Sequence, residues 1–241
     1  MSRAPRSARR RLAWLALVVV AMPLLMAGLR VVTHFAADFS EEGYQSTFFA
    51  EGGVLKTVGP DDIFEQGVDT EGDGVLHVLP NATGSWATLV ADLDAPAKGG
   101  HLNFDFDLAT QGEWSSLGIW LNDADGGGMI DITCERPDPG ETPIRVAGLP
   151  VPLPEMLPGD TRLHVRLTLR QPMIGLPTWT VRLTSSEDSS ELTGPLYTGG
   201  ETPSIGSILF VRPPLSLEGA YELDDVIVSS TSSGGLISSN L

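Results

Sequence analysis

Residues 101–108 read HLNFDFDL, which is the clearest secondary-structure pattern in the chain. Apolar and polar side chains alternate strictly within it, and the apolar ones are Leu102, Phe104, Phe106 and Leu108. Because successive side chains of a strand point to opposite faces, a period of two predicts a half-buried antiparallel strand. Residues 162–170, RLHVRLTLR, repeat the pattern.

Further stretches with strand character lie on both sides of these two. Each is bounded by Gly, Pro, Asp or Ser, and they cover residues 74–79, 85–93, 116–121, 129–135, 178–184, 204–211 and 221–229. After about the first 30 residues, no segment as long as these strand candidates has helical periodicity. The sequence therefore predicts an all-β domain of two antiparallel sheets packed as a β-sandwich, with the Pro-rich residues 137–160 covering one edge or mouth.

The chain begins with a basic stretch followed by an apolar one. Residues 12–29 read LAWLALVVVAMPLLMAGL, which is 18 residues without a charge and follows five arginines. This pattern predicts one N-terminal transmembrane helix whose basic flank stays in the cytoplasm. We therefore divide the chain into residues 1–35 (basic stub and signal anchor), 36–229 (extracytoplasmic β-sandwich) and 230–241 (flexible Ser/Gly-rich tail).

The fate of the leader determines the location of the domain. Residues 25–27 and 35–37 are poor versions of a small-x-small cleavage site, and the apolar stretch is long for a signal peptide. We therefore expect an uncleaved anchor that places the domain in the periplasm or at the cell surface. The alternative is a protein secreted after removal of the leader.

Charge is distributed unevenly along the chain. Six of the 15 basic residues occur within the first 30 positions, and no acidic residue precedes Asp38. The remainder holds 9 basic against 31 acidic residues, a formal charge of −22. Because nucleic-acid affinity depends on basic side chains that displace counterions, this composition excludes nucleic acid as a partner.

Four segments carry a family resemblance. DFSEE at residues 38–42, FDFDL at 104–108, SLGIWLN at 116–122 and YELDDVIV at 221–228 resemble, in order, the layout of concanavalin-like and carbohydrate-binding jelly rolls over residues 38–230. In that superfamily, acidic residues of the first and last strands often hold a structural calcium. The resemblance implies a calcium site from Asp38, Glu41, Glu42, Asp224 and Asp225, and no other cofactor is required.

The same layout is similar to that of laminarinase-type glycoside hydrolases. Their strand-borne signature has Glu, then Asp two residues later, then a second Glu, because retaining hydrolysis needs two carboxylates about 5 Å apart. Here Met129 occupies the nucleophile position, and Glu135 lies four residues after Asp131, so one group of the motif is missing and the other is shifted. The motif therefore argues against glycosidase activity.

Tryptophans are the residues that would indicate a sugar site, since a pyranose stacks its apolar face on an aromatic ring. Trp114 stands in a polar loop before a strand, and we expect it to form a site with Asn122, Asp123 and Asp125. We expect Trp120 and Trp179 to be core residues, whereas Trp86 is ambiguous.

Two functions fit these observations. One is a non-catalytic, membrane-tethered binding or scaffolding module that recognises a glycan or a partner protein outside the cytoplasm. The other is an accessory structural subunit of a membrane protein complex, in which the anchor packs beside another membrane protein. Small residues at Ala27 and Gly28 permit such helix packing without requiring it.

Overall fold

The computed structural model describes residues 29–39, 47–48, 50–60, 62–69, 73–155, 162–198 and 201–233, and every regular element in these residues is a β-strand. In chain order the strands are β1 (Leu29–Ala37), β2 (Thr47–Phe48), β3 (Gly53–Val58), β4 (Phe64–Val68), β5 (Gly74–Val78), β6 (Ala87–Lys98), β7 (His101–Gln111), β8 (Leu117–Asn122), β9 (Gly128–Cys134), β10 (Ile144–Val146), β11 (Leu149–Pro150), β12 (Arg162–Arg170), β13 (Thr178–Thr184), β14 (Ser189–Pro195), β15 (Ser204–Arg212) and β16 (Ala220–Ser233).

The strands form two antiparallel sheets. Sheet A has the order β14-β13-β12-β7-β16-β5-β4, with β1 also paired to β16, and sheet B has the order β11-β10-β9-β8-β15-β6-β3-β2. The inward faces of the two sheets contribute to one hydrophobic core. The prediction of an all-β, two-sheet antiparallel sandwich is confirmed.

The stretch that predicted the fold lies at the centre of that core. Leu102, Phe104, Phe106 and Leu108 of β7 are all buried. The ring centroids of Phe104 and Phe106 lie 6.5 Å and 6.4 Å from that of Phe210 on β15 of sheet B. This aromatic group joins the sheets through contacts that are worth about 1 kcal/mol per pair beyond the burial of apolar area.

Strand β1 spans the predicted boundary at residue 36. It pairs antiparallel with the C-terminal part of β16, from Leu29↔Ser233 to Ala37↔Val226. Strand β5 pairs with β16 only over Tyr221–Leu223, so the backbone groups of the rest of that edge need another partner. Phe35 and Ala37 of β1 also enter the core.

The remaining segment predictions concern the chain termini. Residues 230–233, which we assigned to the tail, continue β16, whereas 234–241 lie outside the described residues. The transmembrane helix predicted for residues 12–29 also lies outside them, except for Leu29, which is the first residue of β1. No helix in the described part of the chain has the length and apolar character needed to cross a membrane.

The Pro-rich segment after β9 covers one edge of the sandwich, as predicted for its described part, residues 137–155. It forms the two edge strands β10 and β11 of sheet B and then reaches the edge of sheet A. There, the hydroxyl of Ser190 donates to the carbonyl of Pro152, and the backbone N–H of Glu155 donates to Asp188 Oδ2 at 3.1 Å. These bonds close the side of the sandwich between β11 and β14.

A close approach in sheet A provides a test of the packing. Trp179 is 1% exposed and lies over Gly194 on the neighbouring strand, where a Cβ atom would be 2.3 Å from Trp179 Cζ2. Gly194→Ala should therefore lower the free energy of unfolding by about 2 kcal/mol, because the buried indole has no room to move. Urea denaturation measures the change. Gly128→Ala is the matched control, since a Cβ there meets nothing within 4 Å; equal stability of the two variants would contradict this packing.

Candidate functional site

The outer face of sheet B carries an exposed tryptophan on its central strands. Trp120 of β8 is 40% exposed and lies in register between Asp131 of β9 and Leu209 of β15. Trp86 immediately precedes β6 and is 55% exposed. We call the surface around these two side chains the tryptophan face.

Trp120 separates two clefts on the tryptophan face. A cleft of about 320 Å³ lies on one side and is bordered by Asn122, Met129 and Asp131. A second cleft of about 160 Å³ lies between Trp120 and Trp86, and Thr133 and Glu135 contribute to its wall. Because the Trp120 indole borders both clefts, they lie side by side and together form one elongated path along the outer face of sheet B.

Gly118 determines how the Trp120 indole lies. The two residues are two apart on β8 and therefore share a face, and a Cβ atom on Gly118 would be 3.1 Å from Trp120 Nε1. Because this glycine has no side chain, the indole rests against the sheet. A β-branched residue here would lift the ring from that position.

The exposure of Trp120 corrects the sequence prediction, which assigned it to the core. Its neighbours Ile119 and Leu121 are fully buried, so the period of two directs Trp120 outward together with Gly118 and Asn122. The other predicted core tryptophan, Trp179, is buried as expected. The large size and apolar character of Trp120 favour a core position, whereas the alternation of its neighbours correctly indicates the outer face.

The structure separates Trp114 from the other three residues predicted for a sugar site. Trp114 packs against the core, with its ring centroid 6.1 Å from that of Tyr221. Asn122 lies at the opposite end of β8, roughly 17 Å along the strand, and borders the Trp120 cleft instead. Asp123 caps the following hairpin turn, since its Oδ1 accepts hydrogen bonds from the backbone N–H groups of Asp125 (2.9 Å) and Gly127 (2.7 Å).

A buried arginine supports the tryptophan face from inside. Arg212 at the end of β15 is 0% exposed, and burial lowers its pKa. Its Nη1 donates to Ser115 Oγ (2.7 Å) and to the carbonyl of Ser116 (2.6 Å), and its Nη2 donates to the carbonyls of Glu218 (2.7 Å) and Gly219 (2.6 Å). A single guanidinium thus joins the β7–β8 and β15–β16 connections.

The same network continues to the loop that carries Trp86. The side-chain amide of Asn81 is buried and donates to the carbonyl of Arg212 (3.2 Å) and to the carbonyl of Ser85 (2.9 Å). Asn81 Oδ1 accepts from the backbone N–H of Thr83 at 3.0 Å. Residues 81–85 are therefore held in one conformation, which fixes the position from which Trp86 projects. Sequence analysis identified neither Arg212 nor Asn81, because no local pattern indicates that an arginine at a strand end is buried.

The outer face of sheet A is a second polar surface, and it is charged. His164 of β12 lies between two carboxylates of β7, with Nδ1 2.7 Å from Asp107 Oδ1 and Nε2 3.4 Å from Asp105 Oδ1. Hydrogen bonding to Asp105 and then to Asp107 raises the pKa of His164 to about 9. Burial alone would raise the pKa of Asp105. Hydrogen bonds from His164 and Arg166 outweigh burial and lower it.

Three of the five predicted calcium ligands, Asp38, Asp224 and Asp225, lie within the described residues. Their strands β1 and β16 are neighbours as expected, and Asp38 and Asp225 line one cavity of about 270 Å³. Asp224 lies in register with Asp107, and burial raises its pKa to about 6. Within the described residues, however, no three His, Cys, Asp or Glu side chains are placed to hold a metal ion.

The described carboxylates of this group repel one another. Burial and the neighbouring carboxylates Asp107 and Asp38 raise the pKa of Asp225, and the nearby cations His164 and Arg162 offset this only in part. Glu41 and Glu42, the other two predicted ligands, lie outside the described residues.

The glycosidase motif is placed where the sequence put it, on β9. Asp131 borders the larger cleft and Glu135 the smaller one, whereas Met129 remains at the nucleophile position. Four residues of extended strand separate the two carboxylates by roughly 13 Å, which exceeds the separations that retaining and inverting hydrolysis require.

Removal of the Arg212 side chain tests the internal support. Arg212→Ala leaves the carbonyls of Ser116, Glu218 and Gly219 without their donor, so the free energy of unfolding should fall by about 3 kcal/mol. Guanidinium chloride denaturation measures this loss. Arg182→Ala on the outer face of sheet A is the control and should cost under about 1 kcal/mol. Similar losses in both variants would contradict the supporting role.

The pKa of His164 generates a pH prediction. Because it is about 9 in the folded protein and 6.5 ordinarily, the imidazolium stabilises the fold fully below pH 6.5, and this stability is lost as the pH rises through 9. The loss should be about 1 kcal/mol, since the half-exposed side chain is screened by solvent. Urea denaturation at pH 6.0 and 9.5 measures it. His164→Gln should remove this slope, and an unchanged slope in that variant would contradict the assignment.

Comparisons with known proteins agree with the fold. No family model matches the chain, and no curated protein matches it in sequence. Among solved structures, the CBM2 module of the evolved Dit protein of Lactobacillus casei BL23 phage J-1 is 11% identical, with 85% of this chain and 98% of that one covered and a TM-score of 0.54.

Two further structures illustrate the range of proteins with weaker likeness. The lectin from Bauhinia forficata in complex with GalNAc is 10% identical, with 85% of this chain and 100% of that chain covered and a TM-score of 0.47. The PL-14 alginate lyase from Aplysia kurodai is 8% identical, with 73% and 90% covered and a TM-score of 0.45. Identities at this level show the fold alone, and the likeness to the CBM2 module agrees with the two-sheet β-sandwich described above.

Proposed function

We propose that this protein is a non-catalytic glycan-binding module, tethered to a membrane with its β-sandwich outside the cytoplasm. The observation that carries the proposal is the pair of exposed tryptophans on one face of sheet B, Trp120 and Trp86, with clefts on both sides of Trp120. Exposed aromatic rings of this size on the face of a sheet are unusual for a surface that only contacts water.

The tryptophan face has the chemistry that a glycan requires. A pyranose ring packs its apolar C–H face on an indole, while its hydroxyl groups need polar partners close by. Asn122 and Asp131 in the larger cleft and Thr133 in the smaller one supply an amide, a carboxylate and a hydroxyl beside the ring of Trp120. An elongated path with two indoles suits an oligosaccharide of several units better than a single sugar.

The charges beside the tryptophan face favour neutral glycans over anionic ones. Lys56 pairs with Asp92 at 2.9 Å, Arg145 pairs with Glu141 at 3.1 Å, and Arg136 pairs with both Glu218 and Glu113. These cations are already engaged, whereas Asp131 and Glu135 border the clefts as carboxylates. A uronate or sulfate placed in either cleft would meet negative charge, and the residues described as lining the clefts include no Lys or Arg to offset it.

The non-catalytic part of the proposal rests on the spacing of the acidic groups. Asp131 and Glu135 are too far apart to act on one glycosidic bond, and Met129 supplies no nucleophile. The membrane tether rests on the uncharged apolar segment that precedes β1, residues 12–28.

Truncation of the stacking ring tests the function. The full chain should bind neutral oligosaccharides on a glycan array, and Trp120→Ala should weaken the best of these interactions about tenfold by isothermal titration calorimetry, because the stacking surface is lost. Trp114→Ala serves as the control and should leave the affinity within about twofold, since that ring packs against the core. An array without any bound glycan, or an affinity unaffected by Trp120→Ala, would contradict the proposal.

Gly118→Val provides a second arm that leaves both tryptophans in place. It should also weaken glycan binding about tenfold, because a branched side chain displaces the Trp120 indole from the sheet. Since Gly118 lies on the outer face, circular dichroism should show an unchanged fold. Full affinity in Gly118→Val would mean that the position of the indole does not matter for binding.

A further inference from the structure

The β-sandwich has a markedly apolar loop at one of its two ends. Loop 171–177, which joins β12 to β13, reads QPMIGLP and contains the most exposed apolar side chains of the described residues, Met173 at 104% and Ile174 at 93%, followed by Leu176. Single exposed apolar residues are ordinary, but three within four positions at the tip of a loop form a patch. Tyr197 extends the patch, since the adjacent Leu196 N–H donates to the Pro177 carbonyl at 2.9 Å.

The topology of sheet A places this loop at the end where the chain enters the domain. The backbone N–H of Gln171 donates to the carbonyl of Gly100, so the loop lies beside the β6–β7 turn. At the same end, Ser230 of β16 pairs with Leu102, and Leu29 pairs with Ser233. Strand β1 is three strand positions from β12, about 14 Å. We call this end the entry end.

Three exposed cations lie at the entry end. They are Arg30, Lys98 and Arg170, and within the described residues none of them forms an ion pair. Elsewhere in the described residues, exposed Arg182 and buried Arg212 also form no ion pair, whereas the other cations pair with carboxylates; these are Lys56, Arg136, Arg145, Arg162 and Arg166. Three of the four exposed, unpaired cations of the described residues therefore lie at the same end as the apolar loop.

From these observations we infer that the entry end is a membrane-docking surface, in which Met173, Ile174 and Leu176 enter the interfacial region of the bilayer and Arg30, Lys98 and Arg170 face lipid phosphates. This inference rests on the membrane-tethered part of the proposed function and adds the orientation of the domain. The uncharged residues 12–28 directly precede the strand that begins at this end, so a bilayer reached by them is adjacent to the loop. Apolar side chains flanked by cations and an aromatic ring are typical of interfacial contact.

The orientation leaves the tryptophan face accessible. Trp86 lies near the opposite end of the sandwich, because it precedes Ala87, which pairs with Arg212 at the far end of β15. With the entry end on the bilayer, the strands of sheet B run away from the membrane and their outer face is turned sideways into the surrounding medium. An oligosaccharide can therefore lie along the two tryptophans without contact with lipid.

Depth-dependent fluorescence quenching tests the docking. The full chain is reconstituted into vesicles of phosphatidylcholine and phosphatidylglycerol, with one NBD label attached at Ile174→Cys or, as a matched control at the opposite end, at the exposed Leu217→Cys. The native Cys134 is buried, and burial raises the pKa of its thiol to about 12, so it does not compete for the label. Spin-labelled lipids should quench the label at 174 about threefold more than the label at 217.

The outcomes separate the docking from the tether. Flotation of the vesicles without the protein would overturn both the tether and the docking, whereas protein that floats but shows equal quenching at the two positions would overturn the docking alone. Self-quenching of the 174 label that depends on protein density, without lipid quenching, would mean that a second copy occupies the loop. Glycan binding is measured separately and does not enter this test.

A polar variant keeps the test independent of the label at 174. Met173→Ser, Ile174→Ser and Leu176→Ser are combined in the full chain, and the NBD label is placed at Tyr197→Cys. The three exposed side chains contribute no core packing, so the fold should be retained by circular dichroism. Lipid quenching at position 197 should fall about threefold relative to the parent loop, and unchanged quenching would show that the loop is not the contact.

Discussion

The guanidinium of Arg212 is the constraint on which one whole end of this molecule depends. An arginine cannot be buried as a neutral group in this sandwich, so its N–H groups require acceptors. Among the described residues, no carboxylate serves that purpose; backbone carbonyls and one serine hydroxyl do, and they belong to two connections that are far apart in sequence. The stacking of Tyr221, 5.6 Å from the guanidinium, adds an aromatic contact to the same point.

The sequence predicted the central strands well because their alternation is strict. Residues 162–170 and 178–184 coincide with β12 and β13, and 101–108 form most of β7. The strands that were missed have weaker local patterns. β14 is a polar edge strand, and β1 is recognisable as a strand only because β16 extends past β5 and leaves an edge for it to pair with. Pairing over about 200 residues of sequence leaves no trace in either segment alone.

The candidate site shows the same limit more sharply. Residue type suggested that Trp114, in a polar loop, would be exposed and that Trp120, beside Ile119, would be buried, but Trp114 is partly buried against the core and Trp120 is 40% exposed. For Trp120, the alternation of inward and outward positions along β8 predicts its exposure better than the apolar character of its side chain does. For Trp114 the decisive contact is with Tyr221, a residue more than 100 positions away, and only the fold reveals it. The buried network of Arg212 and Asn81 is likewise a property of tertiary contacts.

The antiparallel ladder between β1 and β16 also has a mechanical consequence. The ladder runs from Leu29↔Ser233 to Ala37↔Val226, and β16 in turn pairs with β7 at the centre of sheet A. A pull on the chain from its N-terminal side acts along the axis of β1, so it loads the hydrogen bonds of this ladder together in shear instead of opening them one at a time. Tension applied at the entry end is thereby distributed into the middle of the sheet. A strand peeled from an edge in the perpendicular direction would yield at much lower force.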